Sequence, residues 1–247
     1  MNGDVAFAHR LADAADAITL ARFRALDLHV ETKPDLTPVS EADRAAEEAI
    51  RQLVASSGRG EGVLGEELGD DGTERKWIVD PIDGTKSYVR GIPVWATLLA
   101  LEREGVVDAA LVSAPVLRRR WWAVRGEGAF ADGEPCRVSS VARIADATVS
   151  TTSVSRMPHG WHELARRSWS PRGFADFWQY CLLAEGAIEL AAEDGLNVWD
   201  FAAVHLLVEE AGGRCTTFDG DAPAHRSSFL ATNGRVHDEA LSLLGAA

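Results

Sequence analysis

The chain has 247 residues, 46% of them hydrophobic, and a formal net charge of −13 at pH 7. The apolar content can fill a core in one domain or two subdomains. The acidic balance excludes nucleic acid as a general partner, because backbone-phosphate binding needs basic surface, but it leaves room for a small phosphorylated ligand, since bound divalent ions reverse the local field. Cys136, Cys181 and Cys215 are widely spaced and form no C-x-x-C pair, which points to reduced thiols in a cytoplasmic protein. No apolar run approaches the roughly 20 residues of a membrane span, and no basic-then-apolar start suggests a signal peptide.

In chain order, residues 4 to 28 are expected to form a helix. Val5, Ala8, Leu11, Ala12, Ala15, Ile18 and Ala25 fall near helical spacing with no Gly or Pro inside. Pro34 and Pro38 make residues 29 to 40 an extended loop. Ser40 then caps a second helix, with Asp43 at its third position and an apolar series running to about Ala55. A glycine-rich turn over 56 to 62 leads to Gly65-Glu66-Glu67. Trp77-Ile78-Val79 is a short buried strand, and Asp83 is placed to cap the helix that follows. Residues 94 to 101, 106 to 113, 121 to 124 and 126 to 131 predict an antiparallel meander, with a hairpin turn at Glu104-Gly105. Arg118-Arg119-Arg120-Trp121-Trp122 is expected at a sheet edge with snorkelling arginines.

The second half starts near Val141. Residues 148 to 152 predict a strand, 176 to 184 a helix, 187 to 192 a strand, and 199 to 211 a helix capped by Asp200 and ended by Gly212-Gly213. Strands at 214 to 217 and 229 to 231 and a helix at 236 to 244 close the chain. Residues 153 to 173 give no clear pattern. The expected organisation is two subdomains, 1–140 and 141–247, of α/β (α+β) class.

The segment Trp77 to Lys86 concentrates the chemistry. A buried strand runs into Asp80, Pro81 ends its ladder, and Asp83-Gly84-Thr85 opens a helix. Two carboxylates, a hydroxyl and free helix amides therefore meet at one strand end. Hard divalent cations take carboxylate oxygens, and phosphate takes both the cation and the amides. Gly-Glu-Glu at 65–67, Trp-Ile-Val-Asp-Pro-Ile-Asp-Gly-Thr at 77–85 and Trp-Asp-Phe-Ala-Ala at 199–203 together resemble the inositol monophosphatase superfamily of metal-dependent, lithium-sensitive phosphatases.

That resemblance implies a layered αβαβα sandwich with mixed and antiparallel sheets. It implies that Glu66, Asp80, the Ile82 carbonyl, Asp83 and Asp200 hold two or three Mg²⁺ ions. An all-oxygen set suits Mg²⁺, with Mn²⁺ possible. It further implies that Lys33 and Asp43 stand close behind the metal ligands, that Thr85 and Glu67 position or activate water, and that the Gly84 and Thr85 amides face phosphate. A homodimer acting on a small phosphorylated metabolite is implied as well.

Substrate is narrowed by other segments. Lys86-Ser87-Tyr88-Val89-Arg90-Gly91, the Pro115 to Trp122 block, Asp176-Phe177-Trp178-Gln179-Tyr180 and Ala184-Glu185-Gly186-Ala187 are similar to the branch of the superfamily that hydrolyses histidinol phosphate, although Ser87 and Tyr88 replace the Asn-Phe usual there. That substrate carries an ammonium and an imidazole, so Asp176 and Glu185 are candidate acids and Trp178 a candidate wall. Inositol phosphate, fructose bisphosphate and adenosine bisphosphate are the alternative substrates, and a binding module without turnover is the alternative outside enzymes.

Overall fold

The computed structural model describes residues 2–34 and 36–245. Its helices are α1 (Gly3–Arg22), α2 (Glu41–Ser56), α3 (Thr85–Val89), α4 (His159–Arg167), α5 (Asp176–Ala184), α6 (Val198–Glu210) and α7 (His237–Leu244). Its strands are β1 (Val30–Thr32), β2 (Pro38–Ser40), β3 (Gly62–Gly65), β4 (Gly69–Asp70), β5 (Arg75–Asp83), β6 (Ala96–Arg103), β7 (Val106–Ala114), β8 (Arg119–Val124), β9 (Gly128–Ala131), β10 (Glu134–Pro135), β11 (Thr148–Ser150), β12 (Ser170–Arg172), β13 (Leu190–Leu196), β14 (Arg214–Thr216) and β15 (Ser227–Thr232).

Eight strands form one sheet in the order β10-β9-β8-β7-β6-β5-β3-β4, antiparallel except for the parallel β3–β5 pair. Five form a second, β12-β11-β13-β15-β14, which mixes parallel and antiparallel pairs. Strand alternation decides which layer each side chain joins. From β5 and β6, Trp77, Val79, Leu99 and Leu101 pack on α1 and α2. Ile78, Leu98 and Ala100 face the other way, onto α5 and α6, whose far side meets Ala191, Cys215 and Phe229 of the second sheet. Helices α4 and α7 cover the outer face of that sheet through Trp161, Leu164, Ala240 and Leu244. The result is the expected αβαβα sandwich.

Several local expectations differ from the structure. Helix α1 ends at Arg22, not Leu28, because Phe23 turns to φ −61°, ψ 122° and packs its ring on Tyr88 and Trp95, while the Tyr88 hydroxyl donates to the Thr19 carbonyl. The loop over 29 to 40 contains the β1–β2 hairpin; Asp35 within it lies outside the described residues. Strand β8 is not an edge strand, since β7 and β9 flank it. Its arginines end in ion pairs, Arg119 with Asp132 and Glu185, and Arg120 with Asp13 and Asp16. The segment without a clear pattern holds α4 and β12.

Candidate active site

The ends of β5 and β13 and the starts of α3, α5 and α6 converge on one cavity of about 570 Å³. Asp80, Asp83 and Asp200 each place a carboxylate oxygen there, all within 4.8 Å of one another. Asp80 is 2% exposed, and one of its oxygens accepts from the Ile82 amide at 3.0 Å. Asp83 does not cap α3. The N-cap is Gly84, whose φ of +84° suits only glycine and whose missing Cβ leaves room for the Asp176 carboxylate and the Val94 carbonyl. Asp83 instead closes β5 and accepts from the Phe177 amide at the start of α5, at 2.5 Å. Asp200 is likewise not the cap of α6. Asn197 occupies that position, and Asp200, third in the helix, returns a capping-box bond to the Asn197 amide at 2.7 Å.

Three carboxylates held this close cannot all stay ionised without a counter-charge. Burial and then mutual repulsion push Asp80 and Asp83 well above the usual carboxylate range. Burial, against the Asn197 amide bond, lifts Asp200 to about 7. Glu66 lines the same cavity and is raised by burial against the pull of Lys33. This all-oxygen donor set, already short of positive charge, fits a hard divalent cation.

Lys33 stands behind these groups. Its Nζ donates to Glu66 Oε1 at 2.7 Å and to Glu67 Oε1 at 2.5 Å. Burial works against its charge, yet the two glutamates hold it in the ammonium form. Asp43 completes the α2 capping box with Ser40, accepting from its amide at 2.8 Å and its hydroxyl at 2.6 Å. The other Asp43 oxygen lies 3.3 Å from the Thr85 hydroxyl, which also reaches the Ile82 carbonyl at 2.9 Å. Burial lifts Asp43 to about 6. The Gly84 and Thr85 backbone lines the cavity at the start of α3.

Of the residues expected to meet the alcohol part of a substrate, only Asp176 lines the cavity. Glu185 lies at the far end of α5, about 13 Å along the helix axis at 1.5 Å per residue, and its carboxylate accepts from Arg119 and Trp121. Trp178 joins the core between the sheets, its ring 5.7 Å from that of Phe174 in an edge-on contact. Sequence reasoning missed Glu193, which lines the cavity from β13 and accepts from Gln179 Nε2 at 2.6 Å and the Tyr180 hydroxyl at 3.0 Å. Burial lifts it to about 7. The signal was present: Glu193 follows Leu190-Ala191-Ala192, an acid at the end of an apolar strand, as Asp80 follows Trp77-Ile78-Val79. Arg156 and Arg226, also missed, bring positive charge to the rim, where they and Lys86 face seven acidic side chains.

Comparison with known proteins agrees with this geometry over nearly the whole chain. The model of the inositol monophosphatase family matches residues 3–245. The histidinol-phosphatase of Mycobacterium tuberculosis is 51% identical, the match covering 98% of each chain. That of Streptomyces coelicolor is 49% identical, covering 98% of this chain and 96% of its own. Among solved structures, an inositol monophosphatase of Thermotoga maritima superposes with a TM-score of 0.92 at 29% identity, covering 98% of this chain and 97% of its own. The chain therefore belongs to the inositol monophosphatase family of phosphoric monoester hydrolases.

Proposed function

We propose that this enzyme hydrolyses histidinol phosphate to histidinol and phosphate, a step of histidine biosynthesis, with Mg²⁺ held by Asp80, Asp83, Asp200, Glu66 and the Ile82 carbonyl. Two or three ions suit the set, and Mn²⁺ is an acceptable substitute. When bound, the cations neutralise the phosphate and acidify the attacking water.

The protein's own groups do the rest. The Gly84 and Thr85 amides at the start of α3 bind a phosphate oxygen. Thr85 Oγ1 orients the water, and Asp43 Oδ1, 3.3 Å from that hydroxyl, receives the proton. Lys33 keeps Glu67 turned toward Glu66, so a second acceptor stands on the same side.

The substrate reading is carried by a second group of carboxylates that the metals do not require. Asp176, Glu193 and Asp194 line the same cavity beside the metal cluster. A cationic leaving group supplies the charge this wall lacks, and a neutral polyol does not. Glu185 and Trp178, the other expected substrate contacts, have no part in it. The overall charge argues against a nucleic-acid partner, and among the described residues no helix is long and apolar enough to cross a membrane. A cytoplasmic homodimer completes the reading, consistent with three free, buried cysteines.

The test is phosphate release at fixed Mg²⁺ from histidinol phosphate, inositol 1-phosphate, fructose 1,6-bisphosphate and adenosine 3′,5′-bisphosphate. At least a tenfold higher kcat/KM on the first is expected. Equal or greater activity on inositol phosphate would reject the assignment.

A further inference from the structure

We propose that Glu47 is a positioning residue: its buried carboxylate fixes the backbone that carries Glu66 and Glu67, and Gly65 is glycine to admit it. Glu47 lies on α2, one turn after Asp43, and is fully buried. One carboxylate oxygen accepts from the Glu67 amide at 2.8 Å, and the other from the Leu68 amide at 3.1 Å. Arg51, one turn further along, holds the second oxygen through Nε at 3.0 Å and balances the charge. The same guanidinium reaches the Gly69 carbonyl and the Asp71 carboxylate, so the ion pair spans the turn from 67 to 71.

The second observation is the space at Gly65. A Cβ there would lie 2.0 Å from Glu47 Oε1 and 2.2 Å from its Cδ. The carboxylate therefore sits directly against the Gly65 backbone, and no other amino acid fits while Glu47 stays in place. On the opposite side the Glu66 amide donates to the Val79 carbonyl at 3.2 Å. The Glu66-Glu67 backbone is thus clamped between β5 and α2, while Lys33 orients the two side chains. A buried carboxylate accepting two backbone amides and an arginine is costly to desolvate and strongly directional. A hydrophobic residue would fill the space but leave both amides without acceptors. Glu47 does not line the cavity, so any influence on the reaction passes through the segment it holds.

The inference rests on Glu66 as a metal ligand, and the experiment separates the two. Mg²⁺ binding to the metal-stripped protein is measured by titration calorimetry, kcat and KM on histidinol phosphate, and folding by thermal unfolding. Glu66→Gln tests the ligand. Glu47→Gln keeps volume but places an amide N–H against one of the two donors; it should weaken Mg²⁺ binding and lower kcat at least tenfold each, with KM within about twofold. Gly65→Ala, which leaves Glu47 and Arg51 present, should do the same by displacing the carboxylate, and serves if Glu47→Gln folds poorly. Adding Gly65→Ala to Glu47→Ala should cost nothing further, because the carboxylate that needs the space is gone.

Folded Glu47→Gln or Gly65→Ala protein with Mg²⁺ affinity and kcat within twofold of the parent, alongside a weakened Glu66→Gln, would overturn the positioning role alone. Unchanged affinity in Glu66→Gln would overturn the ligand assignment and the inference with it. Additive losses in the double variant would show that Gly65 serves another purpose and would refute the cradle.

Discussion

The Phe177 amide donates to Asp83 Oδ2 at 2.5 Å, and this bond joins the two halves of the chain at the point where the chemistry is placed. Asp83 ends β5 of the eight-stranded sheet, and Phe177 lies in the first turn of α5, which packs between the sheets. The positive end of α5 thus faces a carboxylate already crowded by Asp176 and Asp200.

Replacing that carboxylate separates activity from stability. Asp83→Asn keeps an oxygen for the Phe177 amide and removes one charge from a crowded, buried group. Turnover should fall at least a hundredfold, while the metal-free protein unfolds at the same temperature as the parent or higher. Steady-state kinetics at saturating Mg²⁺ with thermal unfolding in EDTA checks both parts. Activity within threefold of the parent would remove Asp83 from the ligand set.

Glu193 predicts a pH dependence of stability. Its pKa is about 7 in the folded protein, above the model-peptide value near 4.3. Between those values the folded state binds more protons than the unfolded state, so this carboxyl stabilises below the window and the contribution is lost as pH rises through 7. Glu193→Gln cannot ionise and still accepts from Gln179 or Tyr180. Raising pH from 5 to 8 should therefore destabilise the variant less than the parent, by about 1–3 kcal/mol. Parallel urea titrations at both pH values read the difference, and identical slopes would place Glu193 in a solvated setting.

The wall of the cavity should govern substrate choice, and the far end of α5 should not. Asp176→Asn and Glu193→Gln should each lower kcat/KM on histidinol phosphate at least tenfold and on glycerol 2-phosphate less than threefold. Glu185→Gln should change both rates equally and slightly, while weakening the bonds to Arg119 and Trp121 and costing about 1–2 kcal/mol of stability. A selective loss of histidinol phosphate activity in Glu185→Gln would return that residue to the substrate site.

Ala175 sits at φ +65°, ψ 155°, a region that is essentially glycine's own. Asp176, next in the chain, is also left-handed at φ +48°, with its amide held by the Thr152 hydroxyl at 2.9 Å. Such a conformation costs about 1–3 kcal/mol, more than the roughly 0.5–1 kcal/mol entropy penalty of a glycine. Ala175→Gly should therefore raise the unfolding temperature by about 2–4 °C. A lower unfolding temperature would mean that the alanine methyl contributes packing that outweighs the strain.

What the sequence determined alone is the chemistry that fits within a few residues. The capping box of Ser40 and Asp43 and the short apolar run Trp77-Ile78-Val79 follow from capping and local hydrophobicity, each acting within one turn or strand, while the acids at 66, 80, 83 and 200 were singled out by short motifs that resemble those of a known family. The partners of those residues were settled only by the tertiary structure. Asp83 looks like a helix cap until α5 is brought against it from 94 residues away. The arginines of β8 look like an edge until β9 pairs alongside and Asp16 of α1 reaches Arg120. Glu185 and Glu193 stand eight residues apart and carry the same side chain, yet the length of α5 carries one away from the cavity and the path of β13 brings the other in. The energy of a buried charge depends on which distant groups surround it, and no local pattern encodes that.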